Sequence, residues 1–319
     1  EYRSQSKILL DEMDALGIPP NTFTFTGAML AVEGGSDAVE MLERAKKYGE
    51  SVERNVYLFN SAIHACSRSP ISTKRGKRAN MGGGGNDGWQ TGLSLFRSMK
   101  EEGVQPNMQT YVNLIHTCGK SGQVRMALNL LEEMQRTPEI GHPDTRVWTA
   151  IFQALASVGD YAETMKRMRE MIHAGNIQPS VLHCNILLAA LSRAEKFDVA
   201  VDLLECMQNR TVPSFLTANP AKAHHDEITD IALARPDRVS VNTVLAACAK
   251  CGNFERASSI LAKMKKGEYI GRNGPIRPDT ISFNSVLSAC RDPKMAEEIL
   301  AEMRSSRRDR YRFFTPTSI

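Results

Sequence analysis

The residues of this 319-residue chain most able to do chemistry are its 7 cysteines and 7 histidines, and their spacing speaks against most of it. Cys248-Ala-Lys-Cys251 has the spacing of a redox pair or half a zinc site. No second CxxC or spaced histidine pair accompanies it, however, and it lies on a helical pattern outside any βαβ context. Cys66, Cys118, Cys248 and Cys290 take one place in successive units, the last apolar position of a helix, so they read as core packing. An odd cysteine count without a secretory segment fits a reducing compartment. His64 and His116 share a repeat position with no partner at metal spacing, and His224-His225 stand adjacent and alone; all four read as surface groups. Gly82 to Gly85 lack the Lys-Ser/Thr that would complete a phosphate-cradling loop, and no paired acids or nucleophile with its base occur at a usable spacing. The expectation is a protein that is not an enzyme, holds no metal or cofactor and takes no small-molecule substrate.

What recurs instead is a pair of helices. In Gln105 to Met134, the residues Tyr111, Leu114, Ile115 and Cys118 fall at i, i+3, i+4 and i+7 and share one helix face. Lys120-Ser121-Gly122 breaks the pattern, and Val124, Ala127, Leu128, Leu131 and Met134 form a second face before Pro143-Asp144 closes the unit. Two helices cannot enclose a core alone, so each hairpin must bury its apolar faces against the next. Met13, Met99, Met134, Met171, Met207, Met264 and Met303 recur near the end of the second helix and read as core between units. The fold expected is all-α, an α-solenoid of antiparallel helix-turn-helix repeats.

Composition is that of a folded chain, 42% hydrophobic and 24% charged, and a net charge of +4 is too small to argue for a polyanionic partner by itself. No run reaches the ~18 apolar residues of a membrane span, so no membrane insertion is expected. Residues 1–21 read as the second helix of an incomplete unit, and an opening at Glu1 in mid-helix predicts a fragment or processed form. About seven units follow: 22–55, 56–107, 108–144, 145–180, 181–237, 238–279 and 280–317. The second carries an insertion at 70–87 with Lys74, Arg75, Lys77 and Arg78, read as a solvated basic loop in preference to a nuclear-import or phosphate-binding patch. The fifth carries an insertion at 208–235 with a short helix near Asp226 to Leu233, and the sixth a Gly-rich extension from Gly267 to Gly274. Residues 304–319 form a basic and aromatic tail, with the chain cut just inside a further unit.

TYVNLIHTCGKSGQVRMALNLLEEM, VNTVLAACAKCGNFERASSILAKM and SFNSVLSAC, flanked by Pro-Asp or Pro-Asn, resemble pentatricopeptide repeats over almost the whole chain. Tetratricopeptide repeats lack the closing Pro-Asp and carry a Trp-Leu-Gly-Tyr pattern missing here. The resemblance implies a right-handed superhelix whose first helices line a concave groove, with single-stranded RNA bound one nucleotide per repeat. It implies that the residue after the first helix's aromatic and the last residue of the repeat read the base. These are Thr26 with Asn55, Asn60 with Asn107, Val112 with Asp144, Thr149 with Ser180, Asn185 with Asp237, Asn242 with Asp279, and Asn284 with Thr317. Asp only accepts and suits the ring N–H of uracil or guanine, whereas Asn also donates to cytosine or adenine. In the family the earlier position separates base size, so the implied 5′ to 3′ register is adenine, pyrimidine, unspecified, purine, uracil, uracil, pyrimidine. The base-sandwiching position holds Phe23, Tyr57, Leu182, Val239 and Ile281, but Gln109 and Arg146 in the third and fourth units. The phosphate-contacting position holds Arg68, Lys120, Arg193 and Lys250, although helix C-termini attract cations in any case.

The resemblance therefore implies a sequence-selective binder of single-stranded RNA acting in RNA stability, processing or translation in a mitochondrion or chloroplast. The alternative is a structural subunit of an organellar ribosome or other ribonucleoprotein, with ribosomal or RNA-processing proteins as partners.

Overall fold

The computed structural model describes residues 2–32, 34–49, 52–68, 88–175, 177–217 and 232–312, without the side chains of 2–6, 174–175, 217 and 305–312. The expected basic insertion at 70–87, the helix proposed near 226–233 but for its last two residues, His224, His225 and Thr317 lie outside the described residues, as does the tail beyond 312.

The chain divides into two compact units, Glu1–Val158 and Gly159–Ile319. The first holds α1 (Tyr2–Ala15), α2 (Thr22–Ala31), α3 (Gly35–Lys46), α4 (Val56–Cys66), α5 (Gly88–Glu101), α6 (Met108–Lys120), α7 (Val124–Gln135) and α8 (Thr145–Val158). Within it α2, α4, α6 and α8 pack side by side in that order, and each pairs with the following or preceding second helix. An aromatic side chain at one position of each of these first helices is buried: Phe25, Phe59, Tyr111 and Trp148 are all at most 1% exposed. Burying each contributes about 1.5–3 kcal/mol, which is why the hairpins cohere only as a stack.

The second unit holds α9 (Tyr161–Gly175), α10 (Val181–Arg193), α11 (Phe197–Asn209), α12 (Ser214–Thr217), α13 (Arg238–Lys250), α14 (Phe254–Lys266), β1 (Ile270–Gly271), β2 (Gly274–Pro275), α15 (Thr280–Ala289) and α16 (Pro293–Arg312). Here α10, α13 and α15 stack in order, with buried Cys184, Val241 and Phe283 at the place the aromatics hold in the first unit. The Gly-rich extension is a two-residue antiparallel ribbon, Ile270 opposite Pro275, seated by buried Tyr269 and Ile276. The second insertion is anchored where it leaves and rejoins the unit. Leu216 and Leu233 are buried, and Arg169 Nε on α9 donates to the Phe215 carbonyl at 2.8 Å.

Met99, Met134, Met171, Met207 and Met264 are fully buried near the ends of the second helices, while Met13 and Met303 are half-exposed. Cys66, Cys118 and Cys248 are core residues. Cys290 corrects the expectation for its position: α15 stops at Ala289, so Cys290 caps it in extended conformation, half-exposed, its thiol donating to the Asp292 carbonyl. Exposed ion pairs tie neighbouring second helices, among them Arg44 with Asp11 and Asp14 at 2.7 and 2.6 Å, Lys100 with Glu133 at 2.5 Å and Arg256 with Asp198. Each contributes at most about 1 kcal/mol. Among the described residues no helix is long and apolar enough to cross a membrane.

Candidate nucleic-acid interface

Every first helix begins on a residue whose side chain must accept backbone N–H groups, because the first turn has no intrahelical acceptors for them. Asn55, Asn107, Asp144, Ser180, Asp237 and Asp279 all do this. The repeat's last residue is thus the next helix's cap, and this fold requirement fixes one oxygen of the side chain. What remains of the side chain is set by its partner on the preceding first helix. Asn60 Nδ2 donates to Asn107 Oδ1, Asn185 Nδ2 to Asp237 Oδ1 and Asn242 Nδ2 to Asp279 Oδ1, each at 3.1 Å. Ser240 and Ser282 hydroxyls donate to Asn185 Oδ1 and Asn242 Oδ1 at 2.6 Å and fix both amides, while buried Asn60 Oδ1 has no hydrogen-bond partner among the described residues. With Oδ1 committed, Asp237 and Asp279 keep Oδ2 as a second acceptor, at Asp279 3.9 Å from Arg238 Nε, and Asn107 keeps Nδ2 as a donor. Burial raises the Asp279 carboxyl, but the Ser282 N–H and hydroxyl, Asn242 and Arg238 together hold it below the usual carboxylate range.

The other pairs differ. Thr26 Oγ1 donates to the Thr22 carbonyl at 2.8 Å, and no hydrogen bond joins it to Asn55. Thr149 likewise donates to Thr145, and Ser180 lies in the other unit. Asn284 is exposed, and its suggested partner Thr317 is outside the described residues.

Three residues before each first base-reading position stands an exposed apolar side chain: Phe23 (86% exposed), Tyr57 (69%), Leu182 (43%), Val239 (58%) and Ile281 (60%). Large apolar groups left in water at one position of successive first helices within each unit offer a surface for something apolar, such as a base. In α6 and α8 the row is interrupted by Gln109 and Arg146, which bond to each other at 3.0 Å.

The cations at the implied phosphate positions have these neighbours in the structure. Arg68 donates to the carbonyls of Leu30, Met29 and Val32 at 2.5, 2.9 and 2.7 Å, closing the open end of α2. Lys120 donates to the Ser67 carbonyl at 3.2 Å, just past α4. Arg193 lies against Gly159. Lys250 is exposed and makes no hydrogen bond among the described residues. Arg291, which sequence reasoning missed because the short α15 moves the cation forward, approaches Gly252 in the same manner. The carbonyls of the preceding hairpin account for the placement of Arg68 and Lys120. His64 and His116 stand near Lys120, and burial followed by the charge of Arg68 or Lys120 lowers both imidazoles below their ordinary range. His64 is exposed and His116 half-buried. Among the described residues no group of three or more His, Cys, Asp or Glu could hold a metal ion.

Residues 33–212 match the family described as the pentacotripeptide-repeat region of PRORP, and residues 230–292 match a pentatricopeptide repeat domain. A chloroplastic pentatricopeptide repeat-containing protein of Arabidopsis thaliana is 22% identical over 82% of this chain and 31% of its own length. Another is 34% identical over 36% of this chain and 21% of its own. The chain thus spans less than a third of these relatives. The crystal structure of maize PPR10 in complex with an 18-nt psaJ RNA element is 17% identical, covering 95% of this chain and 48% of that one with a TM-score of 0.47. Matched over more than half its length by one family and again in its last hairpins, this chain belongs to the pentatricopeptide repeat family.

Proposed function

We propose that this chain is a sequence-selective binder of single-stranded RNA that takes one base per hairpin and acts in organelle RNA metabolism. The observation that carries the reading is the repeated geometry of Asn60 with Asn107, Asn185 with Asp237 and Asn242 with Asp279. Each is an amide bonded to a helix cap that keeps a second polar atom, with an exposed apolar side chain three residues earlier on the same helix. Such a site stacks a base and questions its Watson–Crick edge. The reading is one of binding, not catalysis. Relatives named as chloroplastic support a chloroplast over a mitochondrion.

Asp279→Asn tests it. The variant keeps the cap through Oδ1 but replaces the second acceptor by an N–H donor, so the sixth hairpin should change from uracil to cytosine. In selections from a random single-stranded RNA pool, the preference at that position should invert by about tenfold, a contribution of 1–3 kcal/mol being usual for one base contact. An unchanged preference removes the assignment. A second reading, a ribonucleoprotein subunit that holds RNA or protein by shape, is favoured by the bonded Gln109 and Arg146, which interrupt the row; binding without any enriched motif would establish it.

A further inference from the structure

We propose that the Arg146–Gln109 bridge closes the base slot between α6 and α8, so that a nucleotide passing the third hairpin is left unread. The inference rests on the RNA-reading function above and names the residue that sets where reading stops.

The slot is filled from both sides. Arg146 Nη1 donates to Gln109 Oε1 at 3.0 Å, across the position where α2, α4, α10, α13 and α15 expose an apolar side chain. Arg146 Nε donates to Asp144 Oδ2 at 2.8 Å, while Asp144 Oδ1 takes the N–H groups of Arg146 and Val147 at 2.9 and 3.0 Å. Both oxygens of the carboxylate that should question the base are therefore engaged. Among the described residues the corresponding Oδ2 of Asp237 has no hydrogen-bond partner, and that of Asp279 faces Arg238 at 3.9 Å. The partner position, Val112, offers no polar atom. Gln109 is itself held, since its Nε2 donates to Asn113 Oδ1 at 2.8 Å, and buried Asn113 donates to the Asn60 carbonyl at 3.0 Å. A base entering here must break the bonds that the Arg146 guanidinium donates to Gln109 and to Asp144.

The test is a random-pool selection on the whole chain, comparing wild type with Gln109→Val/Arg146→Ile and with Arg146→Lys. Wild type should enrich bases opposite the second hairpin and none opposite the third. The double variant should add uracil or guanine there, about tenfold over the other bases, because each presents a ring N–H to the released Asp144 Oδ2. Arg146→Lys keeps the charge but cannot span Asp144 and Gln109 as a planar fork, so it should open the position in part. If the third position stays blank in both variants with melting temperatures unchanged, the closure is wrong. If affinity falls for every sequence and no new preference appears, Arg146 is a phosphate contact and the proposal fails equally. Should the double variant not fold, Arg146→Lys alone decides. A wild type that enriches no base anywhere overturns the underlying function, and that result is separate from a blank confined to the third hairpin.

Discussion

His183 does with an imidazole what Thr24, Thr110, Ser240 and Ser282 do with a hydroxyl at the equivalent place of their helices. Its Nδ1 accepts the Ser180 N–H, and its own N–H is directed at Ser180 Oγ. The ring is fully buried, and burial lowers its pKa to about 4. Protonation would remove the acceptor that the cap needs. Between pH 6.5 and 4 the unfolded chain binds this proton and the folded chain does not, so stability present at neutral pH is lost as pH falls through that window. The loss is on the order of 3 kcal/mol. His183→Ser, which restores the hydroxyl used elsewhere, should flatten urea-unfolding stability between pH 7 and 4.5, whereas an unchanged slope there would assign the acid sensitivity to other groups. The lowered Asp144 and Asp279 carboxyls act below that range, since their contribution persists until pH falls under the ordinary carboxylate value. Arg68 is a second residue whose role is testable singly. Arg68→Ala leaves three carbonyls without their charged donor and should destabilise the chain by about 1.5–3 kcal/mol by thermal unfolding. Lower RNA affinity at an unchanged melting temperature would instead make Arg68 a phosphate contact.

At the scale of elements, the turns inside the third to sixth hairpins share one requirement. Gly122, Gly159 and Gly252 all occupy the left-handed region there, with φ of 72, 73 and 66°, and in the fifth hairpin Glu195 does so at 56°. A side chain in this region costs about 1–2 kcal/mol, partly offset by glycine's larger unfolded entropy. Glu195→Gly should therefore raise stability by about 0.5–1 kcal/mol, read as a higher melting temperature, and a lower one would contradict the strain. Such turns, together with apolar spacing and the Pro-Asp closures, made the helix pairs legible in the sequence, because they depend on residues a few places apart. The positions of Phe23, Tyr57, Leu182, Val239 and Ile281 came from the family resemblance, since apolar spacing alone does not say which apolar residues stay exposed. What the cations meet was not legible: Lys120 meets a carbonyl 53 positions earlier and Arg68 one 38 positions earlier, on the preceding hairpin. Gln109 and Arg146 stand 37 apart, and composition alone says that both are polar, not that they bond. Cys290 was misplaced because nothing local to Ser-Ala-Cys announces that α15 ends one residue early.

For the whole chain, on the function proposed above, these placements set how RNA binding would divide between charge and bases. A net charge of +4 is small, and of the four implied phosphate positions Arg68 and Lys120 donate to carbonyls, Arg193 lies against Gly159 and Lys250 stands in solvent. Even if all four still neutralise a phosphate, counterion release on a single strand gives a slope of about −3 in log K against log salt, at roughly −0.7 per contact. Affinity at physiological salt must then come from stacking on the exposed row and from the capped pairs, with about 1–3 kcal/mol for each stacked base. Tyr57→Ala should accordingly weaken binding of the selected RNA by about tenfold and leave the salt slope unchanged. Lys250→Ala should instead reduce the slope by about 0.7 without altering which bases are chosen. Anisotropy titrations from about 50 to about 300 mM salt separate the two. A slope much steeper than about −3, with Tyr57→Ala silent, would show that charge elsewhere in the chain dominates and that the exposed row does not hold bases.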